Sequence, residues 1–292
     1  MADTISQKAG ASSGRAVLAG ELIMDCAPLV WSLEWRNHTV FCAHCLQRSS
    51  HLRTCTRCHT YRYCGESCQK QDWKKEHKSE CLLLKGISDY KTKLTNCRSV
   101  STWEMDSLLT VEVLMLIKMM NGINNILKCG FLARWQAFSH DERQSTSVQN
   151  VLNLFPYDHT KQNPKFLQLV QKKLFRDLLN AAFAELSREL PKSFSDALLI
   201  EMYNRICQNC HWMADHTEDK AGRAPYAAGL YFDALQCNMV RVCSDHNATV
   251  VFQGKRLQLL AIEDIPSYTG LQDVRESFRA KIDSFIFNNN ER

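Results

Sequence analysis

An α+β fold interrupted twice is what the sequence predicts, and three observations predict it. Extended, β-branched and aromatic stretches stand near both ends of the 292 residues, while apolar residues at i, i+3 and i+4 fill the middle. Between the first extended stretches and the helices, eight cysteine and histidine side chains fall in four closely spaced pairs within forty residues.

Residues 1–14 are small and polar and read as a flexible lead-in. Residues 15–19 and 22–25 read as short strands about Gly20-Glu21, followed by an extended segment over 28–31. Strands this short cannot form a domain alone, so residues 15–41 need partners from beyond the next module.

That module, residues 42–81, carries Cys42-x2-Cys45, Cys55-x2-Cys58, Cys64-x3-Cys68 and His77-x3-Cys81. Zinc takes four sulfur or nitrogen donors at about 2.0 to 2.3 Å, and a pair two or three residues apart supplies two of them from one turn. Eight donors therefore predict two tetrahedral Zn2+ sites. A helix over 73–81 puts His77 and Cys81 on one face, a second short helix carries Cys64 and Cys68, and 59–63 reads as a strand. Apolar residues are so few here that metal replaces a core. A disulfide framework is the competing reading of paired cysteines. The N-terminus lacks the basic and apolar regions of a signal peptide, which leads us to expect a reducing compartment, the nucleus or cytoplasm, where thiols bind metal. Spacing leaves the pairing of donors open between a sequential and an interleaved arrangement.

The formal charge of +5 invites a nucleic-acid reading. Seven zinc-bound thiolates and two zinc ions lower it to about +2, because metal binding deprotonates its thiol ligands. The basic residues of the module, such as Arg48, Arg53, Lys74 and Lys78, then read as a solvated face rather than a phosphate track. Nucleic acid is not the expected ligand.

Residues 82–204 are expected to be a helical insertion, with helices over 105–127, 148–154, 164–190 and 195–207. Phe166, Leu169, Val170, Leu174, Leu178 and Phe183 form a core stripe in the third. The apolar run 108–120 is broken by Glu112 and Lys118 and is too short and charged to span a bilayer. Residues 205–270 turn extended again, with a strand over 227–232 and a hairpin of 248–252 and 256–262 about Gln253-Gly254-Lys255. Residues 271–292 form a helix and a polar tail.

The order of seven cysteines and one histidine, with Tyr63-Cys64, Cys68-Gln69, Trp73 and His77-Lys78-x2-Cys81, resembles a MYND zinc finger. That resemblance implies interleaved sites, Cys42, Cys45, Cys64 and Cys68 on one zinc and Cys55, Cys58, His77 and Cys81 on the other. With Gly20-Glu21-Leu22-Ile23, Gly229-Leu230-Tyr231 and the run from Asn247-Ala248 to Asp264-Ile265, the chain resembles the SET-and-MYND family of protein lysine methyltransferases over nearly its full length. The resemblance implies a split SET-like β-fold made by residues 15–41 and 205–270, with S-adenosylmethionine as cofactor.

Three family devices are altered. The Gly-x-Gly turn for the cofactor is Gly14-Arg15-Ala16. The Asn-His-Ser-Cys-x-Pro-Asn segment is spread over Asn238, Cys243 and Asn247, with His246 in place of proline. The catalytic tyrosine matches Tyr268, but about seven residues are missing before it. The resemblance thus implies a truncated or degenerate SET domain beside an intact finger, and two readings: a finger that binds protein partners, extended proline-containing peptides or histone tails, through Tyr61, Tyr63, Gln69 and Trp73, or an active methyltransferase using Gly14, Asn238 and Tyr268. Cys207-x2-Cys210-His211 spells a c-type haem attachment site, yet it falls where a helix end meets a strand. With Cys243 and His246, the same two cysteines make a further conceivable zinc set.

Overall fold

The computed structural model describes residues 16–97, 100–128, 158–186, 195–214, 225–231 and 248–264. They belong to two compact units. One contains the described parts of Met1–Ala27 and Phe232–Arg292, the other those of Pro28–Tyr231.

The first unit is a three-stranded antiparallel sheet in which β1 (Leu22–Cys26) pairs with β8 (Arg256–Ala261) and β8 with β7 (Ala248–Gln253). The β7–β8 hairpin closes through Gly254-Lys255, and Gly254 takes φ +57°, a left-handed conformation that glycine adopts without a Cβ clash. Alternation sets the buried face: Leu257, Leu259 and Ala261 point the same way as Met24 and Cys26. Residues 16–20 differ from expectation. They pass through a single bridge at Val17 into a turn, and the Gly20 amide, at φ +83°, donates to Ala261 O at 2.7 Å.

The second unit places β6 (Pro225–Tyr231) between β2 (Pro28–Leu33) and β5 (His211–Ala214), all antiparallel. Strands that precede the zinc module thus pair with strands from beyond residue 224 in both units. Helix α4 (Val111–Lys128) packs on β2 and β6. Its residues Val111, Val113, Leu114, Met115, Leu116, Ile117, Met119 and Met120 are all buried, so over 111–120 this is an interior helix rather than an amphipathic surface one. On it pack α2 (Lys78–Cys97) and α7 (Asp196–Asn209), while α3 (Thr102–Leu108), α5 (Pro164–Gln171) and α6 (Leu174–Ala184) pack against one another, with α6 also on α2 and α5 on α7.

Two predicted long helices are each two helices. The stretch 105–127 breaks at Leu109 (φ −112°, ψ 21°). Upstream a capping box starts α3 at Ser101, whose amide donates to Glu104 Oε2 at 2.9 Å, and downstream the Thr110 hydroxyl accepts from the Val113 amide at 3.4 Å. The stretch 164–190 breaks at Lys173, which takes φ +61°. That left-handed residue resets the helical phase, so that Phe175 and Leu179 enter the core while Leu174 stays half-buried. The predicted segments 148–154 and 271–287 lie outside the described residues.

Candidate metal centre

Two cysteine turns begin the site. Leu46 N donates to Cys42 O at 2.9 Å and His59 N to Cys55 O at 3.0 Å, and each turn is closed by a left-handed residue just after its second cysteine, Leu46 (φ 59°) and His59 (φ 54°). His59 is therefore a turn residue, and the strand expected over 59–63 shortens to β4 (Arg62–Tyr63), paired with β3 (Arg53–Thr54). Cys64 leads into α1 (Glu66–Asp72), which carries Cys68. A π-helical turn, Trp73–His77, joins α1 to α2 and delivers His77 and then Cys81. π-turns of this kind are uncommon and concentrate at functional positions.

The eight donors gather into two groups, and the grouping settles what spacing left open. Cys42, Cys45, Cys64 and Cys68 form an outer cluster, Cys55, Cys58, His77 and Cys81 an inner one, and in each the ligand atoms lie within 4.8 Å of one another. In the outer cluster Cys45 Sγ is 3.8 Å from Cys64 Sγ, which is 3.4 Å from Cys68 Sγ. In the inner one Cys55 Sγ is 3.9 Å from Cys81 Sγ, and His77 Nε2 is 3.4 Å from Cys55 Sγ and 3.7 Å from Cys58 Sγ. A tetrahedron with zinc–sulfur bonds of about 2.3 Å has edges near 3.8 Å, and a sulfur–nitrogen edge is near 3.6 Å. The residues present fit zinc. In the inner cluster the Cys58 thiol is held down to about 3, chiefly by its hydrogen bond with Cys81 and then by His77, against the effect of burial. Four protein donors per cluster leave no open coordination position, which is the chemistry of a structural metal that holds the fold rather than activates water.

The clusters differ in exposure. Cys55, Cys58, His77 and Cys81 are all buried, whereas Cys64 is exposed and Cys45 and Cys68 half-buried. Aromatic rings pack the inner cluster: Tyr61 stacks on His77 at 5.1 Å, Trp73 meets it edge-on at 5.6 Å, and the Tyr63 hydroxyl donates to the buried Asp72 carboxylate at 2.8 Å. The module therefore does have a small core, which sequence reading assigned wholly to metal. Tyr61 and Tyr63 are interior residues, 1% and 0% exposed. A side chain at that depth cannot touch a partner, so of the proposed contact residues only Gln69 and Trp73, both half-buried, reach the surface.

A MYND finger model matches residues 42–81. Over 248 residues, 84% of its length, the chain is 23% identical to "Histone-lysine N-methyltransferase SMYD3" of Homo sapiens, and it is 24% identical over 253 residues to the Mus musculus protein of the same name. Across 40 residues it is 50% identical to "Protein-lysine N-methyltransferase SMYD4" of Danio rerio. The chain is SMYD-like and carries a MYND finger. Its match spans 47% of the length of each SMYD3 protein.

This SMYD-like chain has one further set of groups that sequence reading missed. Lys118, 4% exposed in the middle of α4, donates to Trp31 O at 3.0 Å and to the Tyr61 hydroxyl at 2.5 Å, and pairs with Glu80 at 3.0 Å. The Trp31 indole donates to Glu76 Oε2 at 2.6 Å. The ring that backs His77 is thereby tied to the interior helix. A lone cation inside the run 108–120 was the available signal, because a lysine in an otherwise buried helix must have partners.

Gly14, Asn238, Cys243, His246, Asn247 and Tyr268 lie outside the described residues. Cys207 is half-buried beside Tyr203 and is pushed up to about 12, mainly by burial, and Cys210 ends α7. Neither joins a ligand cluster among the described residues. No described helix is long and apolar enough to cross a membrane.

Proposed function

We propose that this SMYD-like protein works as a binding module, in which the MYND finger receives an extended, proline-containing peptide of a protein partner and the two β-sheets serve as a SET-like scaffold. The observation that carries this reading is a complete pair of ligand clusters presenting Gln69 and Trp73 on one accessible helical face, i and i+4 across α1 and the π-turn. A preformed extended peptide loses little entropy on binding, and a tryptophan edge with an amide beside it suits proline rings and peptide carbonyls. Binding of a proline-rich peptide is expected to weaken at least about tenfold in Gln69→Ala, roughly 1.4 kcal/mol, with zinc content unchanged. Unchanged affinity in zinc-loaded Gln69→Ala would count against the reading.

A second reading is favoured by the SMYD3 and SMYD4 names, which describe lysine methyltransferases. In it the chain binds S-adenosylmethionine through Gly14 and Asn238, and Tyr268 orients a lysine of a histone tail. These roles rest on resemblance. Calorimetric titration of the zinc-loaded chain with S-adenosylmethionine separates the two readings: binding that is lost in Asn238→Ala supports the enzyme, and no heat of binding supports the module with a degenerate SET-like part.

A further inference from the structure

We propose that the two clusters of the finger are chemically unequal, and that the outer one is an oxidant-labile metal site entered at Cys64. Cys64 is exposed and Cys45 and Cys68 are half-buried, so a small polar reagent reaches sulfur there without any opening of the fold. Every donor of the inner cluster is buried, and His77 is boxed between Tyr61, Tyr63 and Trp73 with ring centroids 5.1, 6.0 and 5.6 Å away. Reaching it requires displacing an aromatic core that Lys118 anchors to α4.

The reaction this allows is two-electron oxidation by a hydroperoxide. The Cys64 thiolate attacks one peroxide oxygen, the O–O bond breaks, hydroxide leaves, and sulfur is left as a sulfenic acid. A neighbouring thiolate, Cys68 at 3.4 Å or Cys45 at 3.8 Å, then displaces a second hydroxide from that sulfur and forms a disulfide. Two thiolates have given two electrons to the peroxide, and the outer cluster is left with two of its four donors, too few to hold a zinc ion that had been bound there. A dithiol reductant with added zinc reverses the change. The inner cluster keeps its donors throughout, so the unit stays folded around His77 while the start of α1 is released. Because Gln69 directly succeeds Cys68 in the chain, oxidation would also disrupt the face on which peptide docking is proposed. That consequence rests on the docking reading, whereas the inequality of the clusters does not.

The test uses the full chain carrying two zinc ions by elemental analysis, treated with a modest excess of hydrogen peroxide. A chromogenic chelator tracks metal release, and peptide mass mapping tracks each cysteine. The expected result is one equivalent released at least about tenfold faster than the other, accompanied by a disulfide from Cys64 to Cys68 or Cys45, with Cys55, Cys58 and Cys81 unmodified. Release of both equivalents at one rate, or oxidation of Cys55, Cys58 or Cys81 before Cys64, would overturn the proposal. Fewer than two zinc ions at the outset would overturn the ligand assignment itself, and this inference with it.

Discussion

Lys118 and His38 show how single buried polar groups decide the stability of the finger's base. Lys118 faces Glu80, the Tyr61 hydroxyl, the Trp31 carbonyl and the faces of the Trp31 and Tyr61 rings at 4.9 and 5.1 Å. Removing its ammonium strands the Glu80 carboxylate, whose side chain is 15% exposed. Truncating one partner of a buried pair costs about 3–5 kcal/mol, and the partial exposure of Glu80 places Lys118→Met near the lower figure. The denaturant midpoint of the zinc-loaded variant reads this, and Lys118→Met with Glu80→Gln should recover much of the loss, because no charge then remains unpaired. His38, 4% exposed and edge-on to Tyr61 at 5.2 Å, is pushed down to about 3 by burial and then by Lys118. It is neutral in the folded chain and binds a proton near pH 6.5 when unfolded. Its contribution is therefore complete above pH 6.5 and is lost as pH falls from 6.5 toward 3, at up to about 1.4 kcal/mol per unit. Stability measured from pH 7 to 5 should decline less steeply in His38→Phe than in the parent, and equal slopes would show that the buried imidazole does not drive the decline.

Among the elements, the antiparallel hairpin, the strand at Ala227 and the helix start at residue 195 obey local chemistry, and sequence placed them well. The turn at Gly254-Lys255, the Ser195 cap that accepts from the Leu198 amide at 3.2 Å, and the strand at Ala227 are of this kind. The breaks inside 105–127 and 164–190 were not legible, because no proline or glycine marks Leu109 or Lys173 and the apolar period continues across both. Tertiary packing, not propensity, sets those breaks. Gly86 illustrates the same point. It sits in α2, where α6 crosses, and a Cβ added there would meet Ala181 O at 2.4 Å and Ala182 Cα at 2.9 Å. Both are backbone atoms, so no rotamer relieves the contact. Intrinsic propensity favours alanine over glycine in a helix by about 1 kcal/mol, whereas overpacking costs about 1–3 kcal/mol. Since the two helices would have to part, overpacking should win, and Gly86→Ala is expected to lower the thermal midpoint rather than raise it. A rise would mean that α2 and α6 can separate freely.

At the scale of the molecule, the donor set of the finger was fully legible, because metal chemistry fixes residue types and spacings that survive in the linear sequence. Which donors share a metal could not be read from spacing, since that depends on how the two cysteine turns fold against α1 and α2, and it was the resemblance to MYND fingers that implied the interleaved grouping the two clusters show. The interior role of Tyr61 and Tyr63 was equally hidden, because an aromatic near a zinc ligand reads the same whether it faces solvent or backs the ligand ring. Placing His77 against Tyr61, and Tyr61 against Lys118, makes the inner metal part of the core of the Pro28–Tyr231 unit rather than of the finger alone. Withdrawal of metal should therefore propagate. When a strong chelator removes both zinc ions, amide protection is expected to fall not only over residues 42–81 but also over 111–120 of α4, where Lys118 loses the ring that holds it, because metal-binding free energy is folding free energy in such a site. Hydrogen exchange read by mass spectrometry before and after chelation measures this peptide by peptide. Protection over 111–120 that survives the loss of both metals would show that α4 and the β2–β6 sheet make a core independent of the finger, and that the Lys118 network binds the finger to that core without supporting it.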